Sequence, residues 1–276
     1  MSQLEILEEH KSFGGKQVKY QHHSDILGCD MKFELYLPDT DQPTPLVWFL
    51  AGLSSTEENF THKGGFQKYA ADKGYAFVMP DTSPRGDDVP EGDNWDIGTG
   101  AGFYINASQE PWKEHFKMYD YITKELPEVV QDLIPNFSGE EAIMGHSMGG
   151  YGALMIGMKN PDRYASISAF APITNPTQVP WGQKAFTTYL GEDESKWQEW
   201  DPVHLVKEAD KLPPIYITQG TADDFYDVQL VEDDFLAAAE GKDLSYEKKE
   251  GYDHNYYFIS TFAEEHIDFH SKHFKA

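Results

Sequence analysis

Gly145-His146-Ser147-Met148-Gly149-Gly150 places one serine hydroxyl inside a Gly-x-Ser-x-Gly pattern. A serine in that setting can attack a carbonyl carbon. The turn is sharp and holds the hydroxyl out of the chain, and a side chain at either flanking glycine would collide with the neighbouring strand and helix. The context fits: Glu141 to Met144 reads as a short buried strand and Tyr151 to Ile156 as the start of a packed helix. Strand, turn and helix follow in the order this nucleophile turn requires. A glycine-rich turn whose serine only bonds locally is the plainer alternative, and it has no need of those flanks.

A serine hydroxyl is a poor nucleophile at neutral pH. It needs a histidine to take its proton and a carboxylate to hold that histidine in the right tautomer. In α/β-hydrolases the chain order is serine, then Asp or Glu, then histidine. Of the later histidines, His254 stands in the loop Glu250-Gly251-Tyr252-Asp253-His254, after an expected strand Leu244 to Lys248 and before the last helix. His266, His270 and His273 have helical spacing; with no cysteine or placed carboxylate to complete a metal set, they read as a solvated helix end. His22 and His23 read as surface, and His146 as support for the turn. The carboxylate is expected in Thr218-Gln219-Gly220-Thr221-Ala222-Asp223-Asp224, after the strand Pro214 to Ile217. Asp223 and Asp224 both remain candidates on position alone; Asp253 more plausibly shapes the histidine loop. Backbone amides aimed at the oxyanion usually supply the largest electrostatic share of such catalysis. The expected donors are Met148, directly after the nucleophile, and Leu53 in the loop Gly52-Leu53-Ser54.

The elements that must carry these residues are an alternation of strands and helices. Leu46 to Leu50, Tyr75 to Met79, Ala142 to Met144 and Pro214 to Ile217 are short apolar runs, as strands covered on both faces should be. Met31 to Leu37 alternates with period two and is expected near a sheet edge with one wet face. Helical spacing is seen over Asn59 to Lys73, Trp112 to Leu133, Met148 to Asn160, Val228 to Glu240 and Tyr256 to His273. Thr174 to Trp200 is expected to form a cap-like insertion near the site. The fold class is α/β: an α/β-hydrolase fold with a mostly parallel central sheet flanked by helices, an antiparallel N-terminal edge, and one domain over residues 1–276. Ligand sites in such sheets lie at the carboxyl ends of the strands.

Composition narrows the function further. With 47 acidic against 22 basic residues, a formal charge of −25 opposes nucleic acid and anionic membrane surfaces as partners. Met1 to His10 has neither a basic nor an apolar signal region, and no apolar run is long enough to span a bilayer, so a cytoplasmic protein is expected. The single cysteine, Cys29, cannot form an internal disulfide.

The chain resembles the S-formylglutathione hydrolase (esterase D) family over nearly its whole length. The resemblance is carried by Lys11 to Gly15, Gly52-Leu53-Ser54-Ser55-Thr56-Glu57-Glu58-Asn59-Phe60, Pro80-Asp81-Thr82-Ser83-Pro84-Arg85-Gly86 and Gly100 to Tyr104. It continues through Met118 to Tyr121, Gly145 to Gly150, Pro180-Trp181-Gly182-Gln183-Lys184-Ala185-Phe186 and Glu250 to His254. It implies hydrolysis of S-formylglutathione to formate and glutathione in formaldehyde detoxification, cleavage of short-chain esters, no metal or organic cofactor, and a homodimer. It also implies Ser147 as nucleophile and His254 as base. In the family the triad carboxylate stands two residues before a phenylalanine, which, with Phe225 here, is Asp223. Trp181 looks like a wall of the acyl pocket; the alternative is a core aromatic. Lys184 beside it could offset the negative charge that an anionic thioester would meet.

The chain departs from the family at three places. Ser55 and Val179 stand where the family often has cysteine, so weak sensitivity to thiol reagents is expected, with Cys29 the remaining thiol. Thr221-Ala222 replaces the family's Lys-Asp in the triad loop. Two rival readings are a general short-chain carboxylesterase using the same residues, and a non-catalytic binding protein on the same fold.

Overall fold

Strands that must be covered on both faces need helices on both sides, and this requirement organises the molecule. The computed structural model describes residues 4–275; Met1 to Gln3, the start of the segment read as lacking a signal, lie outside the described residues. Among the described residues one sheet holds β1 (Glu5–Ser12), β2 (Gly15–Ser24), β3 (Cys29–Leu37), β4 (Thr44–Leu50), β5 (Ala76–Pro80), β6 (Phe137–His146), β7 (Tyr164–Phe170), β8 (Ile215–Gly220) and β9 (Leu244–Lys249). Their spatial order is β1-β2-β3-β5-β4-β6-β7-β8-β9. Pairing is antiparallel from β1 through β3 to β5 and parallel from there to β9.

The helices are α1 (Glu58–Lys63), α2 (Gln67–Lys73), α3 (Met118–Asp120), α4 (Leu126–Asp132), α5 (Met148–Lys159), α6 (Pro180–Leu190), α7 (Pro202–Glu208), α8 (Tyr226–Gln229), α9 (Asp233–Ala238) and α10 (Tyr256–Ser271). Every residue of β4 and β5 is buried, as their unbroken apolar runs require, and α5 is buried from Met148 to Met158. No helix among the described residues is long and apolar enough to cross a membrane.

The strand order reverses at β4: the chain steps to β5 on one side, then returns to β6 on the other. A crevice opens at the carboxyl ends where such a reversal occurs. The loop after β4 and the turn after β6 face each other across it, with Leu50 paired to Gly145. The insertion over residues 174–200 carries α6, which lies over this end of the sheet.

Several expectations need correction. Met31 to Leu37 is third from the edge and does not have one wet face: Glu34 is buried, where the Gln17 side-chain amide donates to it at 2.9 Å. The helix expected over Asn59 to Lys73 is two helices, since Gly65 at φ +65° breaks the run. The one expected over Val228 to Glu240 is likewise split, α8 ending at Gln229 and α9 starting at Asp233.

His266 and His270 are no solvated helix end. Both are fully buried under the sheet, and burial pushes both imidazoles below their ordinary pKa, so they are neutral. A chain of hydroxyls satisfies them: His270 meets Ser166 Oγ at 2.7 Å and Ser168 Oγ at 2.8 Å, and His266 meets Ser168 Oγ and Thr218 Oγ1, each at 2.9 Å. A neutral ring donates through one nitrogen and accepts through the other, so rotatable hydroxyls are suitable partners on both sides. His22 is buried too, against Tyr121 Oη at 2.9 Å, whereas His23 is exposed.

Candidate active site

Ser147 sits between the end of β6 and the first residue of α5, with φ 58° and ψ −119°. That strained backbone fits here because the residues two before and two after it lack side chains. A Cβ on Gly145 would lie 2.1 Å from the Gly149 carbonyl oxygen, and one on Gly149 would lie 1.9 Å from that of Leu50. Both glycines are therefore obligatory, and the strain lifts the serine clear of the turn.

Two further loops meet it. Asp223 follows β8 and His254 follows β9, and the loops are tied by Ala222 N donating to Tyr252 O at 2.9 Å. His254 Nδ1 lies 2.6 Å from Asp223 Oδ2, and its Nε2 lies 2.9 Å from Ser147 Oγ. Asp223 is buried and held in place: Phe225 N donates to Oδ1 at 2.9 Å and Gln219 Nε2 to Oδ2 at 3.1 Å. Its carboxylate fixes the tautomer, Nδ1–H donating to it, so Nε2 is left to accept the serine proton. Asp224 is exposed and outside this set. Asp253 closes its own loop, accepting from Asn255 N at 2.9 Å and Asn255 Nδ2 at 2.8 Å.

His146 packs beside His254, ring centroids 4.5 Å apart. Burial foremost, then repulsion by His254, drives its pKa far below the ordinary histidine value. It stays neutral beside the His254 ring.

Across the crevice the loop Ala51 to Ser55 is held by its carbonyls. Tyr104 Oη donates to Ala51 O at 2.8 Å; Thr82 Oγ1 and Arg85 Nη2 donate to Ser55 O at 2.6 and 3.1 Å. Arg85 is itself clamped by both oxygens of Asp81, at 2.7 and 2.9 Å. The Leu53 amide has no acceptor among the described residues, and the Met148 amide, at the first position of α5, has no place in the helical ladder.

A cavity of about 410 Å³ opens above Ser147, and Trp181 lines it. Trp181 packs on Phe225 at 4.8 Å and edge-to-face on Trp95 at 5.9 Å, and Phe225 in turn abuts His254 at 5.0 Å. Trp95 and Phe225 as walls escape a reading of the sequence: each sits in a loop where no periodicity marks a face. Lys184 does not face the site as a free charge, since Asp96 Oδ1 lies 2.5 Å from its ammonium. Cys29 is buried, and burial raises its thiol pKa, which lowers its reactivity. Among the described residues no group of three His, Cys, Asp or Glu side chains is placed to hold a metal ion.

Known proteins share this architecture. The Esterase family model matches residues 24–269. The chain is similar to an S-formylglutathione hydrolase from Agrobacterium tumefaciens, 41% identical with a TM-score of 0.95, over 98% of this chain and 99% of that one. An S-formylglutathione hydrolase from Staphylococcus aureus is 21% identical at TM-score 0.71, covering 92% of this chain and 98% of its own. A ferulic acid esterase from Anaeromyces mucronatus is 17% identical at TM-score 0.61, covering 92% of each. The last two speak for the fold alone. Family match, full-length likeness and a serine-histidine-aspartate set at one sheet edge agree, and the chain belongs to the esterase family as a hydrolase of its S-formylglutathione hydrolase branch.

Proposed function

We propose that this chain hydrolyses S-formylglutathione to formate and glutathione, and short-chain esters alongside, with Ser147 as nucleophile, His254 as base and Asp223 as the residue that orients it. The observation that carries the reading is the continuous hydrogen-bonded relay from Asp223 through His254 to Ser147. His254 Nε2 takes the hydroxyl proton as Oγ attacks the formyl carbon. The carbonyl oxygen, now negative, is received by the Leu53 and Met148 amides. On collapse the carbon–sulfur bond breaks, the proton on His254 goes to the departing thiolate, and formyl-Ser147 remains. Water then gives a proton to His254 and attacks the formyl ester, and formate leaves as Ser147 regains its proton.

A thiolate departs more readily than an alkoxide, so one histidine suffices for both halves. Trp181, with Trp95 and Phe225, limits the acyl group by size. The same reading includes the formaldehyde-detoxification role, a cytoplasmic setting, where thiols are kept reduced, and a homodimer; a solution mass equal to one chain by light scattering would contradict the dimer.

A general short-chain esterase is the second reading, favoured by the neutralisation of Lys184 by Asp96, which removes the cation expected beside the acyl wall. Substitutions Ser147→Ala and His254→Ala are each expected to lower formate release by at least about three orders of magnitude. Turnover retained in either variant removes that residue from the mechanism.

A further inference from the structure

The cleft does not end at His254. A second depression of about 410 Å³, lined by Lys63, Asn255, Tyr256, Tyr257 and Ser260, shares Asn255 and Tyr256 with the cavity that holds Ser147. The two adjoin at these residues, and the trough they outline leads from the aromatic walls beside Ser147 toward the junction of α1 and α10.

Its far end differs in charge from the cavity around Ser147. The chain carries a net −25, no lysine or arginine lines the cavity around Ser147, and Lys184 beside it is paired with Asp96. Lys63, at the last position of α1, is exposed and makes no ion pair among the described residues. The first turn of α10 has no acidic residue. Asp253, in the loop before α10, accepts from the backbone and side-chain amides of Asn255. Tyr257 is 82% exposed at this position, an aromatic residue with little of its surface packed against the protein.

We propose that this extension receives the glutathionyl arm of the thioester, with the Lys63 ammonium pairing with a carboxylate of that arm and Tyr257 supporting its peptide backbone. The assignment rests on the reaction proposed above. It answers the difficulty that the net charge raises: glutathione carries a carboxylate at each end, and an anion entering a strongly negative surface is held only where a local cation offsets the field. The leaving sulfur departs on the side of the trough opposite the acyl walls, so the arm attached to it lies toward Asn255 and Lys63.

The test uses the full chain and two formyl thioesters, S-formylglutathione and S-formyl-N-acetylcysteamine, whose thiol is uncharged. Selectivity is the ratio of their kcat/KM values. Lys63→Gln is expected to lower it about three- to tenfold, chiefly through KM, and Lys63→Glu to lower it further, since a rim cation is exchanged for a repelling anion. Selectivity unchanged in both variants, or a loss shared equally by the two thioesters, overturns the subsite. Wild-type protein that fails to cleave S-formylglutathione while cleaving the uncharged thioester overturns the reaction itself, and the subsite with it.

Discussion

Asp223 and Asp224 are adjacent, chemically identical and differ completely in setting. Asp223 is buried with three hydrogen bonds to its carboxylate, from Gln219, Phe225 and His254, whereas Asp224 is exposed. Position along the chain could not separate them; the family spacing to Phe225 points to Asp223, which is the one that meets His254. Asp223→Asn, which keeps the shape but removes the charge that fixes the His254 tautomer, is expected to lower kcat by about four orders of magnitude. Asp224→Asn is expected to leave kcat within about twofold, as surface changes away from a site usually do. Equal losses in steady-state kinetics would overturn the assignment. Ser147 and His254 stand out in the sequence because each lies in a local pattern, a glycine-flanked turn and a loop between a strand and the last helix, and the fold brings them to 2.9 Å. Trp95 was not, because its role is set by contact with Trp181 across the cleft.

At the scale of elements, the loop after β4 is only as exact as its supports. The Ser55 carbonyl is held by Thr82 and Arg85, and Arg85 is fixed by Asp81, so the segment after β5 supports the loop that carries Leu53. Arg85→Ala removes one of those donors and frees the buried Asp81 carboxylate. We expect kcat to fall about ten- to a hundredfold with KM little changed, less than the roughly 10²- to 10³-fold cost of deleting an oxyanion donor outright. An unchanged kcat in a folded variant would show that Arg85 does not position the loop. Element types were legible where one period dominates, as in the apolar runs of β4 and β5 or the buried α5. β7 was missed because Tyr164-Ala165-Ser166-Ile167-Ser168-Ala169-Phe170 looks too polar for a central strand. Its serines make sense only beside His266 and His270, which the strand pairs with from a hundred residues away. The same long-range pairing is why those histidines read as surface.

For the molecule as a whole, these buried histidines tie stability to pH. The His270 pKa is lowered by burial from 6.5 to about 3. Between those values the unfolded chain binds a proton that the folded chain does not, so stability is full above pH 6.5 and falls as pH drops toward 3. The limiting slope is about 1.4 kcal/mol per pH unit for each such group. Glu34 acts in the opposite sense: burial raises it from 4.5 to about 7, so its folded form is destabilised as pH rises through that range. Denaturant unfolding of His270→Gln compared with wild type isolates the histidine: the variant is expected to lose stability less steeply between pH 6.5 and 4.5, and equal slopes would contradict this. The α/β architecture was legible in the alternation of elements; the nine-strand order was not, because charged β1 and β2 resemble loops in composition. The central claim concerns substrate, and kcat/KM for S-formylglutathione against a matched short-chain aryl ester tests it most directly. A preference for the thioester of about tenfold or more, roughly 1.4 kcal/mol of transition-state discrimination, is predicted. The reverse preference would contradict it and make the chain a general esterase on the same machinery.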